Sequence, residues 1–209
     1  MSHAALEVRN LSVWFGKGPG RIQVVDDISF SIGAGHATGL VGESGCGKTM
    51  TARAILGLLS TTGATVSSDG IEVGGTDVST LNADERRAVL GRDIAMIFQQ
   101  PGTAFDPVFT LGQQISAVYR RHARSNKRQV REAMLDSLES VGFNEAEKIA
   151  AAYPHQISGG MRQLAMIAMA TVCKPGVIIA DEPTTALDGS TRALILQQLE
   201  RLRKQHGTA

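Results

Sequence analysis

The sequence predicts an α/β protein: a core of strands and helices, entered through an N-terminal antiparallel β layer and interrupted by an inserted α-helical subdomain. Three observations predict it. The first is Gly42-Glu43-Ser44-Gly45-Cys46-Gly47-Lys48-Thr49, which follows the apolar run Ala37-Thr38-Gly39-Leu40-Val41 and precedes a Pro-free stretch reaching about Leu59. Strand, glycine-rich turn and helix, in that order, is the context in which G-x-x-x-x-G-K-[ST] cradles phosphate. The second is Val177-Ile178-Ile179-Ala180-Asp181-Glu182, an apolar strand ending in two carboxylates. The third is a change of period. Apolar residues nearly alternate from Leu6 to Phe15 but recur at helical spacing through Leu111, Ile115, Val118 and Tyr119.

The bulk properties narrow the function. The chain has 209 residues, 43% hydrophobic and 20% charged, which suffices for one sizeable core with a subdomain. A net charge of +1 leaves no strong electrostatic footprint for nucleic acid, and 4% aromatics argues against base-stacking platforms. No apolar run approaches the ~20 residues of a membrane span. Met1-Ser2-His3-Ala4-Ala5 has neither the basic region nor the apolar stretch of a signal peptide. Cys46 and Cys173 show no C-x-x-C spacing, so neither zinc nor a disulfide framework is indicated, and a reducing cytoplasm fits.

Taken in order, the first strand carries Leu6, Val8, Leu11, Val13 and Phe15, with a slip at Asn10. Trp14 reads as core; Phe15 is open between core packing and a ring that stacks on a purine base. A Gly-rich turn at 16–20 leads to further strand through Val24, Val25, Ile28, Phe30 and Ile32. Residues 60–70 read as a loop, Ile71 to Val78 as a hairpin around Gly74-Gly75, Asp84–Leu90 as a short helix, and Ile94–Phe98 as a buried strand. Residues 102–159 form the helical subdomain, with Ser125 an N-cap and Gly142 a C-terminal stop for its second helix. The basic run Arg120, Arg121, Arg124, Lys127, Arg128, Arg131 reads as a solvated face. A Met- and Ala-rich helix follows from about Met161 to Val172. The last helix, about Thr191 to Gln205, turns Leu194, Ile195, Leu199 and Leu202 inward.

The chemistry concentrates in a few places. In the phosphate loop, Gly42, Gly45 and Gly47 let backbone N–H groups turn toward an anion, with Glu43, Ser44 and Cys46 completing the wall. Lys48 is placed to reach terminal phosphates, and Thr49 to ligate Mg²⁺. Asp181 can hold the metal through water beside Thr49, and Glu182 can poise a water against the terminal phosphate. Gln99, at a strand's C-terminal end and stopped by Pro101, is placed for a site, or is a simple turn. Ser158-Gly159-Gly160 at a helix start is a second anion site, or an ordinary Ser cap. His155 has no paired carboxylate or nucleophile and reads as structural.

These residues together resemble the ATP-binding-cassette (ABC) transporter ATPases. The resemblance rests on Gly42–Thr49, Gln99, Ser158-Gly159-Gly160-Met161-Arg162-Gln163, Ile178–Glu182 and Ala186-Leu187-Asp188, and spans nearly the whole chain. Phe98-Gln99-Gln100-Pro101, Phe105-Asp106-Pro107 and Tyr153-Pro154-His155-Gln156 make it similar to the importer branch for peptides and nickel. The resemblance implies a phosphate-loop NTPase core over 1–101 and 160–209, C-terminally incomplete, with ATP and Mg²⁺ as cofactors. It implies that Glu182, Lys48 and Gln99 act in hydrolysis, that Thr49, Gln99 and Asp181 surround the metal, and that Phe15 stacks on adenine. Ser158, Gly159 and Gly160 would join the nucleotide site of a second ABC ATPase subunit, the same or a related chain, closing head to tail, and Asp188 would be a further cofactor-binding residue. The helical subdomain and the loop after Gln99 would grip an integral membrane permease, served by an external substrate-binding protein. That places the chain as a peripheral subunit on the cytoplasmic face of the inner membrane, with no nucleic acid partner. The other function weighed is a soluble ABC-type ATPase acting on nucleic acid or the ribosome; it would bring coiled-coil insertions, two cassettes per chain or a basic stripe, none of which the sequence carries. Two departures are notable. Met161 stands where the family commonly has Gln. A further strand and a switch histidine are expected past Ala209, so the chain is expected to be truncated and to hydrolyse ATP poorly.

Overall fold

The computed structural model describes residues 4–59, 63–185 and 188–209. Its first strand, β1 (Ala4–Phe15), buries Leu6, Val8, Leu11 and Val13. Strict alternation would turn Leu11 to the wrong side after Val8. Asn10 resolves this by adopting φ +50° at a register shift between Val8 and Leu11. Its amide donates to Asp69 at 2.6 Å and its Oδ1 accepts from Ser29 at 2.8 Å. The slip read from sequence is thus a bulge that returns the next residue to the core face.

β1 is the centre of an antiparallel layer with β2 (Ile22–Gly33), β3 (Ala64–Ser67), β4 (Gly70–Val73) and β5 (Thr76–Asp77). The order is β2-β1-β4-β5, with β3 also paired to β1. α1 (Lys48–Ile55) and α2 (Ala83–Val89) follow β2 and β5, and then β6 (Ile94–Ile97) pairs in parallel with β7 (Val177–Ala180). Between those strands run α3 (Pro101–Ala104), α4 (Leu111–His122), α5 (Lys127–Ser140), α6 (Ala146–Ala151) and α7 (Gly159–Thr171); α8 (Gly189–His206) follows β7.

Two hydrophobic cores hold these layers. One gathers the β layer, α1 and residues of β6 and β7. The other gathers α4, α5 and α6 with α7 and α8, so the insertion's core extends into the helices on either side of β7. Leu164 to Ala168 are all buried, which explains why α7 is apolar around its circumference. Leu138 of α5 is fully enclosed in this core. Leu138→Ala is expected to destabilise the fold by about 3 kcal/mol, read as a lower melting temperature.

Several elements differ from the sequence expectation. Residues 37–41 are not a strand: Leu40 and Val41 are 55% and 88% exposed, and no strand lies beside them among the described residues. A β-strand needs a ladder neighbour, and apolar composition cannot supply one. β7 pairs with β6 on one side and on the other exchanges hydrogen bonds with Ala209, which donates to Gly176 O at 2.9 Å and accepts from Ile178 N at 2.8 Å. The helix α1 stops at Ile55, short of Leu59, with Gly57 at φ +68°. The expected loop at 60–70 contains β3 and the start of β4; Ser60, Thr61 and Thr62 lie outside the described residues. The cap of α5 is Asn126 rather than Ser125. Trp14 is only half-buried, with the Arg21 guanidinium over its ring at 4.9 Å. Leu194 is 40% exposed, whereas Ile195 and Leu202 carry the inward face of α8.

Candidate functional site

The parallel register of β6 and β7 builds the site. Ile97 lies opposite Ala180, so both strands end at the same level and the residues after them emerge together. Asp181 N donates to Ile97 O at 2.9 Å, extending the ladder by one bond. Beyond it Glu182 turns into the left-handed region at φ +47°, which costs a non-glycine residue backbone strain. Gln99 Nε2 reaches across from the end of β6 to donate to Glu182 Oε2 at 2.7 Å. Two residues 83 apart in sequence thereby share one hydrogen bond.

The phosphate loop meets this edge through α1. Thr49 Oγ1 donates to Asp181 Oδ1 at 3.0 Å. A hydroxyl and a carboxylate at that separation are two hard oxygen donors side by side, the chemistry that Mg²⁺ takes. The loop is wound tightly. A Cβ on Gly42 would stand 2.6 Å from Cys46 Sγ, and one on Gly47 2.4 Å from Val24 O. Gly47 also holds φ +99°, and α1 begins directly after it. The Lys48 ammonium caps the concavity, donating to Gly42 O and Glu43 O at 2.8 Å each and lying 3.8 Å from Cys46 Sγ. Its partners are neutral carbonyls and a thiol, so an anion could recruit it without breaking an ion pair. A backbone cradle too close for Cβ atoms, a lysine held by carbonyls and a paired hydroxyl and carboxylate fit a magnesium-bound polyphosphate.

Ser158, Gly159 and Gly160 open α7. Ser158 Oγ accepts from Met161 N at 3.3 Å as an N-cap. A Cβ on Gly160 would meet Thr191 Cγ2 at 2.8 Å, so the start of α7 lies against the start of α8. There Asp188 is the cap: Oδ1 accepts from Thr191 N at 2.9 Å and Ser190 Oγ at 2.5 Å, and Oδ2 from Thr191 Oγ1 at 2.7 Å. The Ser190 hydroxyl above all, then the Thr191 N–H and hydroxyl, hold the Asp188 carboxyl well below its ordinary 3.8. The stabilisation from that depressed group is present above the ordinary value and is lost as pH falls through the lower folded one. Among the described residues, no hydrogen bond ties Ser158, Gly159, Gly160 or Asp188 to the phosphate loop, Asp181 or Glu182. Ala186 and Leu187, of the fifth motif, lie outside the described residues.

Phe15 is partly buried at the end of β1, opposite Ile22 and Ala64, and packs against the β-layer core. His155 stacks on Tyr153 with ring centroids 5.6 Å apart, in keeping with a structural role. Sequence reading missed Thr185, whose Oγ1 donates to Glu182 Oε2 at 2.9 Å. A hydroxyl three residues after a carboxylate, across a proline turn, is the signal that could have found it.

Comparison with known proteins identifies the family. A family profile described as ABC transporter matches residues 25–185. The oligopeptide transport ATP-binding protein AppD of Bacillus subtilis (strain 168) is 39% identical over 204 residues, covering 98% of this chain and 62% of its own length. The dipeptide transport ATP-binding protein DppD of Escherichia coli (strain K12) is 42% identical over 206 residues, covering 99% and 63%. The glutathione import ATP-binding protein GsiA of the same organism is 44% identical over 210 residues, covering 96% and 33%. The chain therefore spans roughly three fifths, or less, of these curated relatives. Among solved structures, the ATP-binding cassette MJ0796, in a dimeric post-hydrolysis state bound to ADP and Pi, matches with a TM-score of 0.83. That match has 25% identity over 97% of this chain and 84% of the other.

Proposed function

Because the chain belongs to the ABC transporter family, we propose that it is the ATP-binding and hydrolysing subunit of a membrane importer for peptides, nickel or similar small solutes. The observation that carries this is the convergence of Thr49 with Asp181 and of Gln99 with Glu182 at the mouth of one glycine-rich loop. The names of the relatives, which carry oligopeptide transport, dipeptide transport and glutathione import, support the solute class.

In this reading Mg²⁺ would supply charge screening along the phosphates, and Thr49 and Asp181 would hold it with Gln99 alongside. The Lys48 ammonium would exchange its carbonyl partners for phosphate oxygens, and the N–H groups from Gly42 to Thr49 would line the cradle. Glu182 would accept a proton from the attacking water. The Phe15 ring would stack on adenine. Ser158, Gly159, Gly160 and Asp188, which among the described residues make no hydrogen bond to the loop of their own chain, would complete the nucleotide site of a second cassette in a head-to-tail dimer. The dimeric state of the similar cassette supports that arrangement.

The loop after β6 suits a permease. Val108 and Phe109 are 68% and 50% exposed. They are presented on a loop that Gln114 staples to α4, with its amide donating to Asp106 O and Phe109 O at 3.0 Å each and its carbonyl accepting from Asp106 N at 2.9 Å. Among the described residues no helix is long and apolar enough to cross a membrane. The permease would supply the spanning segments, with an external binding protein delivering solute to it, and this chain would sit at the cytoplasmic face of the inner membrane.

Sedimentation tests the composite site. Glu182→Gln, alone or mixed with the second cassette of its transporter, is expected to associate when Mg-ATP is added. No ATP-dependent change of mass in either mixture would sink the reading. A second check uses Cys46, an exposed thiol on the loop. Saturating Mg-ATP is expected to protect it from alkylation. Cys173, whose thiol burial pushes up, should react slowly with or without nucleotide. Equal labelling of Cys46 in both conditions contradicts its place in the cradle.

A further inference from the structure

Among the described residues Glu182 receives two side-chain donors, and both use the same oxygen. Gln99 Nε2 and Thr185 Oγ1 donate to Oε2, at 2.7 and 2.9 Å. No described residue donates to Oε1. The backbone enforces the Thr185 contact. Thr185 N donates to Glu182 O at 3.1 Å, closing a turn whose first residue holds φ +47°. That turn folds the hydroxyl back onto the carboxylate three residues earlier. A carboxylate has about four lone-pair sites, so two donors on one oxygen leave the other oxygen open to a water proton.

We propose that Thr185 is a positioning residue for ATP hydrolysis: with Gln99 it fixes the Glu182 carboxylate by Oε2 so that Oε1 faces the attacking water. The inference rests on the ATPase reading above and assigns Thr185 no contact with nucleotide or metal. In hydrolysis the water oxygen forms the new bond to the terminal phosphorus and the water proton goes to Glu182 Oε1. The electron pair of the broken P–O bond leaves with the diphosphate. The Thr185 proton stays on its own oxygen throughout.

Gln99 alone would leave the carboxylate free to pivot about one hydrogen bond, whereas a second donor from another direction stops it. The side chain needed is a hydroxyl on a short stem. Serine should serve, and valine, of the same shape but without the donor, should not. Thr185 is exposed, so neither change threatens the core.

The test compares Thr185→Val and Thr185→Ser in the purified protein by steady-state hydrolysis, equilibrium ATP binding and thermal melting. Thr185→Val is expected to lower kcat by about 10- to 100-fold, the effect of removing one hydrogen bond to a charged group, with KM, ATP affinity and melting temperature unchanged. Thr185→Ser is expected to keep most of the rate. In a Glu182→Gln background, Thr185→Val should cost nothing further. A nucleotide-free crystal structure of Thr185→Val should show the Glu182 side chain turned from its present position. An unchanged kcat in Thr185→Val, an equal loss in Thr185→Ser, or an unmoved Glu182 overturns the proposal. A wild-type protein that binds ATP without turning it over removes the ATPase premise, and the proposal with it. Normal wild-type turnover with an unaffected valine variant removes the proposal alone.

Discussion

Replacing Glu182 by Gln is expected to cut ATP hydrolysis by about 10²- to 10⁴-fold while ATP still binds, the range for losing a positioned general base. Glutamine preserves the length and planarity of the side chain and can still meet the Thr185 hydroxyl through its amide oxygen. It cannot take a proton at neutral pH. The loss should therefore fall on kcat and leave nucleotide affinity near the wild-type value. The backbone shows how firmly this residue is held. A non-glycine residue held at φ +47° stores strain, and such strain persists where surrounding bonds over-determine it. Here those bonds are the Asp181 N–H to Ile97, the Gln99 amide and the Thr185 hydroxyl. Loss of ATP affinity in step with kcat would mean that Glu182 shapes the pocket and does not act on water.

Gly47→Ala is expected to weaken ATP binding by at least about tenfold, through two additive penalties. An alanine at φ +99° costs about 1–2 kcal/mol, which alone corresponds to about 5- to 30-fold. The added Cβ would also stand 2.4 Å from the carbonyl oxygen of Val24 and 3.3 Å from Val25 Cγ2. Val24 O belongs to the backbone of β2, so no change of rotamer relieves the contact and the loop must shift. Gly45→Ala is the control. Its φ is +83°, but a Cβ there meets nothing within 4 Å, so only the conformational penalty applies. Isothermal titration of the two variants with Mg-ATP should therefore rank Gly47→Ala well below Gly45→Ala. Equal affinities would show that the close approach to β2 does not shape the cradle.

Much of the site was legible because its chemistry is local. A lysine and a threonine after a glycine-rich turn, and two acids after an apolar run, announce themselves within eight residues or fewer, and the fold needed only to bring them together. What sequence misread depends on neighbours. Residues 37–41 have the composition of a strand, but pairing is a property of two segments, and no described strand lies beside them. Ser125 and Asn126 are both good caps. The choice falls to Asn126 because Gln129, three residues on, accepts from Asn126 N through Oε1 at 3.0 Å; the corresponding partner of Ser125 would be Arg128, which has no acceptor. Trp14 looked like core on size alone, yet its ring lies under Arg21, a contact set by the turn at 16–20. Thr185 was passed over because its contact with Glu182 depends on how the chain turns between them. A turn brings residues i and i+3 together, so turns beside catalytic carboxylates should be searched for donors at that spacing.

The measurement that tests the central claim most directly is the composition of the complex recovered with the full-length protein from detergent-solubilised membranes. Two integral membrane proteins and a second cassette are expected, retained when Val108 and Phe109 are intact and lost when both are changed to Asp. Recovery solely from the soluble fraction, with ribosomes or nucleic acid, would contradict the importer reading and leave only an ATP-binding cassette.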